Sequence, residues 1–363
     1  MNVTVSLGSR SYAIVVESGA LGSVGVRLRE LGVGARAALV SDAAIMRLYG
    51  KTVADGLEAA GFAVTLVEVP EGEAAKRLDV AAQCWDALLA AGLDRTSTVL
   101  ALGGGAVGDL AGFVSATYMR GTNFVQLPTT VLAQVDASIG GKTAIDHPKA
   151  KNLIGAFHQP RLVVCDPTTT LTLPPREFSS GLAEIVKHGI VLDAEYFGEV
   201  ERDAAALLAR ELPVLERVIG GSCRLKAGVV ERDEQEAELR AVLNYGHTIG
   251  HALEAASGYA RFAHGEAVAL GIAAEARLAR RLGLASEETV GRQERLLEAV
   301  GLPVRIDAVD VEALLAAITR DKKARDGHVP FVLAPRIGAF RLVYDVSPDD
   351  IRAVMAELRP GRG

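Results

Sequence analysis

Val99-Leu100-Ala101-Leu102-Gly103-Gly104-Gly105-Ala106-Val107-Gly108-Asp109 is the stretch on which the fold turns. Four apolar residues suit a buried strand, a glycine cluster follows, and residues 107–116 carry a helical apolar pattern. Residues 96–119 hold a single charge, Asp109, and their length alone suffices to span a bilayer. The adjacent glycines and the central acid oppose that reading, since a carboxylate at a membrane midplane costs about 2.5–3.5 kcal/mol. The stretch therefore reads as strand, loop and helix, with Gly103, Gly105 and Gly108 matching GxGxxG. Such glycines let backbone N–H groups approach a pyrophosphate at a helix N-terminus, and they equally suit a tight turn with close helix packing. The loop follows the third parallel strand of the chain, and no acid stands roughly 20 residues beyond it to hold a ribose. Asp42, at the end of an earlier strand, takes that position, with Glu71, Gly72, Glu73 and Lys76 past the next one.

Outward from this stretch, β-like and helical runs alternate. Strands are expected at 37–40, 62–69, 99–102, 124–127 and 162–165, with helices up to 60, over 74–91 and 107–116, and from Thr129. That alternation implies a mostly parallel, Rossmann-like sheet covered on both faces. Residues 1–16 form two alternating runs about Gly8 and suit an antiparallel hairpin at its edge. From Pro174-Pro175 the pattern changes to long helices over 175–191, 207–230, 245–257, 265–282 and 287–300, then a β-like pair at 329–334 and 340–346. Two domains are expected, an α/β domain over 1–174 and a mainly α-helical one over 175–363. The length of 363 residues fits that division.

Composition narrows the function. Hydrophobic residues make up 49% and charged residues 23%, as in a globular protein with a large core. A net charge of −6 provides no basic field for nucleic acid, so an anionic ligand must be met by a local group of cations. Cys84, Cys165 and Cys223 form no CxxC pair and read as reduced core thiols. With no basic segment and apolar run at residues 1–16 to act as a secretory leader, a cytoplasmic protein is expected, with no membrane partner.

His247 and His251 lie at i and i+4 on one helical face, and His264-Gly265-Glu266 opens the next helix. Upstream, Glu184, Lys187 and His188 share another helical face. Any one of these histidines reads as a surface or hydrogen-bonded core residue. Together, a carboxylate and two or three imidazoles on adjacent helices suit a catalytic divalent metal with an open coordination position. HxxxH without HExxH excludes a zincin protease. Candidate cations and amides for an anion are Arg120, Lys142, Lys151, Asn152, Lys187, Lys226, Arg240, Asn244, Lys322 and Lys323. Lys142 stands in the glycine-rich Gly140-Gly141-Lys142-Thr143, while Lys322 and Lys323 equally suit a solvated face.

These residues add up to a family. The chain resembles the 3-dehydroquinate synthases, of the sugar-phosphate cyclase superfamily. The resemblance runs through residues 70–73, 103–109, 118–121, 127–143, 151–155 and 239–248, in order along nearly the whole chain. It implies an NAD-binding α/β domain, a helical metal domain, an active site in the cleft between them, and a zinc or cobalt ion held by Glu184, His247 and His264. It also implies NAD-binding positions at Asp42, Glu71, Gly72, Glu73, Lys76, Gly104, Gly105, Ala106, Val107, Gly108, Asp109, Thr129, Thr130, Lys142, Lys151, Thr169, Thr170, Leu171 and Thr172. For catalysis it points to Lys142, Lys187, Arg240, Asn244 and His251, and for substrate to Arg120, Asp136, Asn152, Lys226, Lys322 and Lys323. The residue matching Arg120 reaches the neighbouring subunit in this family, so a homodimer is implied.

The activity implied is conversion of 3-deoxy-D-arabino-heptulosonate 7-phosphate into 3-dehydroquinate and phosphate. It proceeds by transient oxidation, elimination, reduction, ring opening and aldol closure, in the shikimate pathway to aromatic amino acids. The alternatives are a sister cyclase acting on another sugar phosphate and a metal-dependent polyol dehydrogenase of related architecture. Arg240 and Asn244 favour a substrate that carries a carboxylate.

Overall fold

The computed structural model describes residues 1–236, 239–258, 261–319 and 329–359. Two units divide the chain: Met1–Leu173 with Leu215–Gln235, and Pro174–Val214 with Glu236–Gly363.

The first unit carries strands β1 (Asn2–Val5), β2 (Tyr12–Val16), β3 (Arg36–Asp42), β4 (Ala63–Val69), β5 (Thr98–Gly103), β6 (Asn123–Pro128), β7 (Lys142–His147), β8 (Ala150–Phe157) and β9 (Leu162–Cys165). Seven of them form one sheet in the order β1-β2-β9-β6-β5-β3-β4. Pairing is parallel except for the antiparallel edge pair β1 and β2. Helices α1 (Val24–Glu30), α2 (Ala43–Ile45), α3 (Lys51–Ala59), α4 (Leu78–Ala90) and α5 (Gly105–Thr117) cover it.

The period of two along each strand sorts side chains between the two faces. Ala38, Val40, Val99 and Ala101 pack with Leu88 of α4 and Leu110 of α5. Ala37, Leu39, Leu100 and Leu102 pack with Leu28 of α1 and Leu57 of α3. Because both faces are covered, β5 is buried at every residue and reads as a continuous apolar run, whereas the edge strand β4 has exposed positions.

The strand order places the ligand end of this unit. The chain leaves β3 for β4 on one side and resumes at β5 on the other, so the order of strands reverses between β3 and β5. Open α/β sheets bind ligands outside the carboxyl ends of the strands at such a point. Asp42 ends β3 and the glycine loop follows β5, so being third in the chain puts this loop beside the reversal.

β7 and β8 form a separate antiparallel hairpin that the sequence reading did not contain. The helix expected from Thr129 amounts to a short segment ending in the π-turn Ala133–Ala137. Gly140 and Gly141 then take φ of 99° and 66°, which turns the chain into β7.

The second unit is built on α6 (Pro175–Leu192), α7 (Ala194–Leu208), α9 (His247–Ala256), α10 (His264–Arg281), α11 (Glu287–Ala299), α12 (Val311–Thr319) and α13 (Pro348–Glu357), numbered with α8 (Leu212–Arg232) between them. Strands β10 (Phe331–Leu333) and β11 (Arg341–Val343) pair antiparallel. The single helix expected over 207–230 is interrupted: Arg210 takes φ 58° and ends α7, and Pro213 stands in the first turn of α8, where its missing N–H leaves no bond unmade. From Leu215 onward α8 belongs to the first unit, which thus extends beyond the expected boundary near residue 174. Ser18 N donates to Glu216 Oε1 at 2.8 Å, and Cys223 Sγ donates to the Gln134 carbonyl at 3.3 Å. Among the described residues no helix is long and apolar enough to cross a membrane.

Candidate active site

In the first unit, Gly104 is the N-cap of α5 and has no side chain to spend on the N–H groups of the first turn, which runs through Gly105, Ala106 and Val107. A Cβ on Gly108 would stand 2.8 Å from Gln126 Oε1, so this glycine serves helix-to-strand packing. The first turn is left as a row of backbone donors with a partial positive charge.

Beside it, Asp42 is buried and its Oδ1 accepts from Ala44 N at 2.9 Å and Ile45 N at 3.0 Å, capping α2. One oxygen of the expected ribose ligand is thus engaged in holding the helix. Asp42, Arg47, Pro70 and Glu71 line a surface pocket of about 430 Å³ at the ends of β3 and β4. Gly72 turns the chain here with φ 64°. Thr129, after β6, is buried, and its hydroxyl has no hydrogen-bond partner among the described residues. After β9, the hydroxyls of Thr169 and Thr170 are occupied internally, on the carbonyls of Asp166 and Pro167 at 2.8 Å each. Thr172 meets the Tyr49 hydroxyl at 2.7 Å, and Leu171 is exposed.

Lys76 gathers several expected site residues around it. Its ammonium is buried and donates to Asp109 Oδ2 at 2.9 Å and to Asn152 Oδ1, with Glu73 Oε1 at 3.5 Å. Asp146, which the sequence reading missed, accepts from Asn152 N at 2.7 Å and lies 4.0 Å from the ammonium. Burial pushes the Lys76 pKa down, and the charges of Asp109, Glu73 and Asp146 more than offset this, leaving it above its ordinary value. Burial holds the Asp109 carboxyl above its ordinary range despite Lys76. Asn152, expected at substrate, therefore joins Lys76, expected at NAD, in one network. Lys151 is exposed, 3.6 Å from Glu73. Lys226 Nζ donates to both Asp136 O and Asp136 Oδ1 at 2.6 Å. Lys142 opens β7 exposed, and Arg120 is exposed with φ 68° beside Met119 with φ 49°.

In the second unit, Glu184 and Lys187 of α6 form a fully buried ion pair. His247 Nε2 lies 3.4 Å from Glu184 Oε1, and His264 Nε2 lies 4.0 Å from the same oxygen. The three ligand atoms are all within 4.8 Å of one another. Glu184 Oε2 is paired with the Lys187 ammonium, whereas Oε1, the oxygen that faces the two imidazoles, is buried and accepts no hydrogen bond from the described residues. A buried carboxylate oxygen without a partner of its own is costly. Metal–ligand bonds of the usual length in a tetrahedral site place ligand atoms about 3.3 Å apart, so a small inward shift of these side chains closes the set. The donor set thus fits a divalent metal such as zinc or cobalt.

Glycines bring the three ligands together. A Cβ on Gly265 would overlap the Ser180 carbonyl, so its absence lets the start of α10, with His264, lie against α6 one turn before Glu184. Gly265 N also donates to Ser180 Oγ at 2.9 Å. Gly246, before His247, takes φ 77°, and a Cβ there would stand 2.8 Å from the Val268 carbonyl of α10. Glu275, a buried acid the sequence reading missed, accepts from Gly246 N at 2.7 Å and holds the N-terminus of α9 against α10. An acid inside Ala273-Ala274-Glu275-Ala276 was the signal for it.

His247 Nδ1 lies 3.1 Å from the Tyr245 carbonyl, which turns Nε2 toward Glu184. Burial, reinforced by the charges of Lys187, His251 and His264, holds the His247 pKa well below its ordinary value, so the ring is neutral and able to ligate. His251 is exposed, with its ring centroid 5.1 Å from that of His247 and 6.0 Å from that of His264. Arg240 is buried on the turn Leu239–Asn244, and Asn244 is partly buried at its end. His188 is fully buried. Lys322 and Lys323 lie outside the described residues.

Two family profiles match the chain, 3-dehydroquinate synthase N-terminal over residues 66–180 and 3-dehydroquinate synthase C-terminal over residues 181–324. The 3-dehydroquinate synthase of Geobacter metallireducens is 52% identical over 94% of this chain and 95% of its own. Among solved structures, 2-epi-5-epi-valiolone synthase from Streptomyces hygroscopicus, with NAD+ and Zn2+ bound, superposes with a TM-score of 0.88 at 31% identity, over 97% of this chain and 98% of its own. A 2-deoxy-scyllo-inosose synthase complexed with carbaglucose-6-phosphate, NAD+ and Co2+ also gives 0.88, at 25% identity, over 98% of this chain and 100% of its own.

Proposed function

The chain belongs to the 3-dehydroquinate synthase family, and from that premise we propose that it converts 3-deoxy-D-arabino-heptulosonate 7-phosphate into 3-dehydroquinate and phosphate. The observation that carries this over the sister cyclases is the 52% identity with a named 3-dehydroquinate synthase, against 31% with the valiolone synthase. Arg240 and Asn244 support it, since a guanidinium and an amide suit the carboxylate of this substrate.

Each residue set has a task. Glu184, His247 and His264 hold the metal, with the Glu184–Lys187 pair keeping charge balanced in a buried place. The first turn of α5 receives the dinucleotide pyrophosphate, Thr129 offers its unused hydroxyl, and Asp42 and Glu71 flank the ribose. When bound, the metal supplies a Lewis acid and the nicotinamide a reversible hydride acceptor. Lys142, Asn152 and Lys226 supply cations and an amide that offset the charge of the leaving phosphate. His251, exposed beside the two ligand histidines, moves protons at the substrate hydroxyls. The reaction makes the protein a phosphate-eliminating carbon–oxygen lyase that regenerates its cofactor. We further propose a cytoplasmic homodimer in which Arg120, exposed on its left-handed turn, reaches the partner subunit; light scattering on the purified protein tests the dimer.

The test of the activity is phosphate release from the heptulosonate by metal-loaded protein with NAD, with NADH absorbance followed in parallel. Phosphate release that requires both cofactors and accumulates no NADH is expected. Steady NADH production without phosphate overturns the assignment in favour of a dehydrogenase.

A further inference from the structure

Glu254 follows His247 and His251 on α9 at i+7 and i+3, so the three side chains share one helical face. Its carboxylate is largely buried, and Oε1 lies 3.2 Å from Nδ1 of His264 on α10. The other nitrogen of that ring, Nε2, faces Glu184 Oε1. His264 therefore has an acidic group on each side. The two acids differ: Glu184 is fully buried, paired with Lys187 and 4.0 Å from Nε2, beyond hydrogen-bond reach, whereas Glu254 is in hydrogen-bond contact with the ring.

An imidazole whose Nδ1–H donates to a carboxylate presents the lone pair of Nε2, the tautomer that binds a metal from that side. His247 achieves the same with the Tyr245 carbonyl. His264 opens its helix with a third of its side chain exposed, and loss of the Glu254 oxygen removes the acceptor that favours a proton on Nδ1.

We infer that Glu254 is a positioning residue for the metal ligand His264, fixing its tautomer and ring rotation through Nδ1. This rests on the metal site proposed above. The competing arrangement makes Glu254 itself a ligand, since one oxygen of it lies within 4.8 Å of ring nitrogens of both His251 and His264. In that arrangement the His264 nitrogen beside Glu254, Nδ1, carries a lone pair to the ion and no proton, so the hydrogen bond to Glu254 is absent.

The experiment is cobalt(II) binding to the full chain, read by chelator competition and by the visible absorption of the bound ion, in wild type, Glu254→Ala and Glu254→Gln. Glutamine keeps an oxygen that accepts from Nδ1–H. The alanine variant is expected to bind cobalt about 10–100-fold more weakly, with an altered absorption band, while the glutamine variant stays within a few-fold of wild type. Melting of the metal-free proteins checks that both fold. Glu254→Met, which keeps the bulk without the acceptor, carries the alanine expectation if that variant does not fold. An alanine variant equal to wild type overturns the inference. So does a glutamine variant as weak as the alanine one, which identifies Glu254 as a ligand. Failure of the wild type to bind cobalt overturns the metal reading itself.

Discussion

Gly265 N donates to Ser180 Oγ at 2.9 Å, and the missing Cβ of the same residue leaves room for the Ser180 carbonyl. This contact sets the distance from α10 to α6 and with it the distance from His264 to Glu184. Gly265→Ala places a methyl group against a backbone oxygen that no side-chain rotation can move. The expected cost is about 1–3 kcal/mol of stability, typical of overpacking. It is accompanied by weakened metal uptake, because one ligand is displaced from the other two. Urea unfolding and cobalt titration of the variant check both; unchanged cobalt affinity contradicts the role given to this contact.

Glu184→Gln is expected to abolish tight metal binding. It removes the charged ligand and leaves Lys187 buried without its carboxylate. Phosphate release should fall at least about a hundredfold, and added zinc or cobalt should not restore it. In wild type, chelation should remove the same activity and either metal should return it. The loss in a variant that binds metal normally, by inductively coupled plasma analysis, contradicts the ligand assignment.

Lys76→Met strands Asp109 among Glu73 and Asp146. Breaking a buried pair costs about 3–5 kcal/mol, and the partial exposure of Asp109 brings the expectation to the lower end. The pH dependence has a definite sign. The Asp109 carboxyl already sits above its ordinary value of 3.8, and removing Lys76 raises it further. The folded variant then binds a proton that the unfolded chain does not, so its deficit should shrink as pH falls from 7 toward 4. In wild type the Lys76 pKa lies above 10.5, so its contribution persists at neutral pH and is lost as pH rises past that value. Urea midpoints across pH measure both trends; a variant deficit that grows on acidification contradicts the assignment.

The depressed pKa of His247 predicts how metal binding responds to acid. With a folded value well below 6.5, the ring remains neutral at pH 6, and its protonation does not compete with the metal there. In the metal-free protein the unfolded chain takes up a proton near pH 6.5 that the folded His247 refuses, so this residue lowers stability as pH falls through that range. NMR titration of the imidazole in the metal-free protein is the direct check. A midpoint at or above 6.5 contradicts the burial argument.

Much of this protein was legible in its sequence, because the relevant signals are local. The apolar run 99–102 followed by glycines specifies a buried strand entering a helix. The i and i+4 spacing of His247 and His251 specifies one helical face, and both follow from backbone geometry alone. Glu184, on one helical face with Lys187 and His188, and His264, at the start of the next helix, were legible in the same way, and the family resemblance singled them out as ligands. Other features were decided by tertiary structure. The β7–β8 hairpin, which no local signal announced, follows a turn in which Gly140 and Gly141 adopt positive φ, a choice that glycine permits and only the surrounding structure makes. Arg210 ended α7 in the same left-handed region, where residue identity gave no sign. The meeting of Lys76 with Asn152, the cap that Glu275 places on α9 and the contact of Glu254 with His264 join residues that are distant in the chain or on different elements. Local periodicity fixes which face a side chain occupies. Which neighbour it finds across that face depends on how closely the elements approach, and here that approach is set by single glycines such as Gly246 and Gly265, whose missing Cβ atoms acquire meaning only against a second backbone.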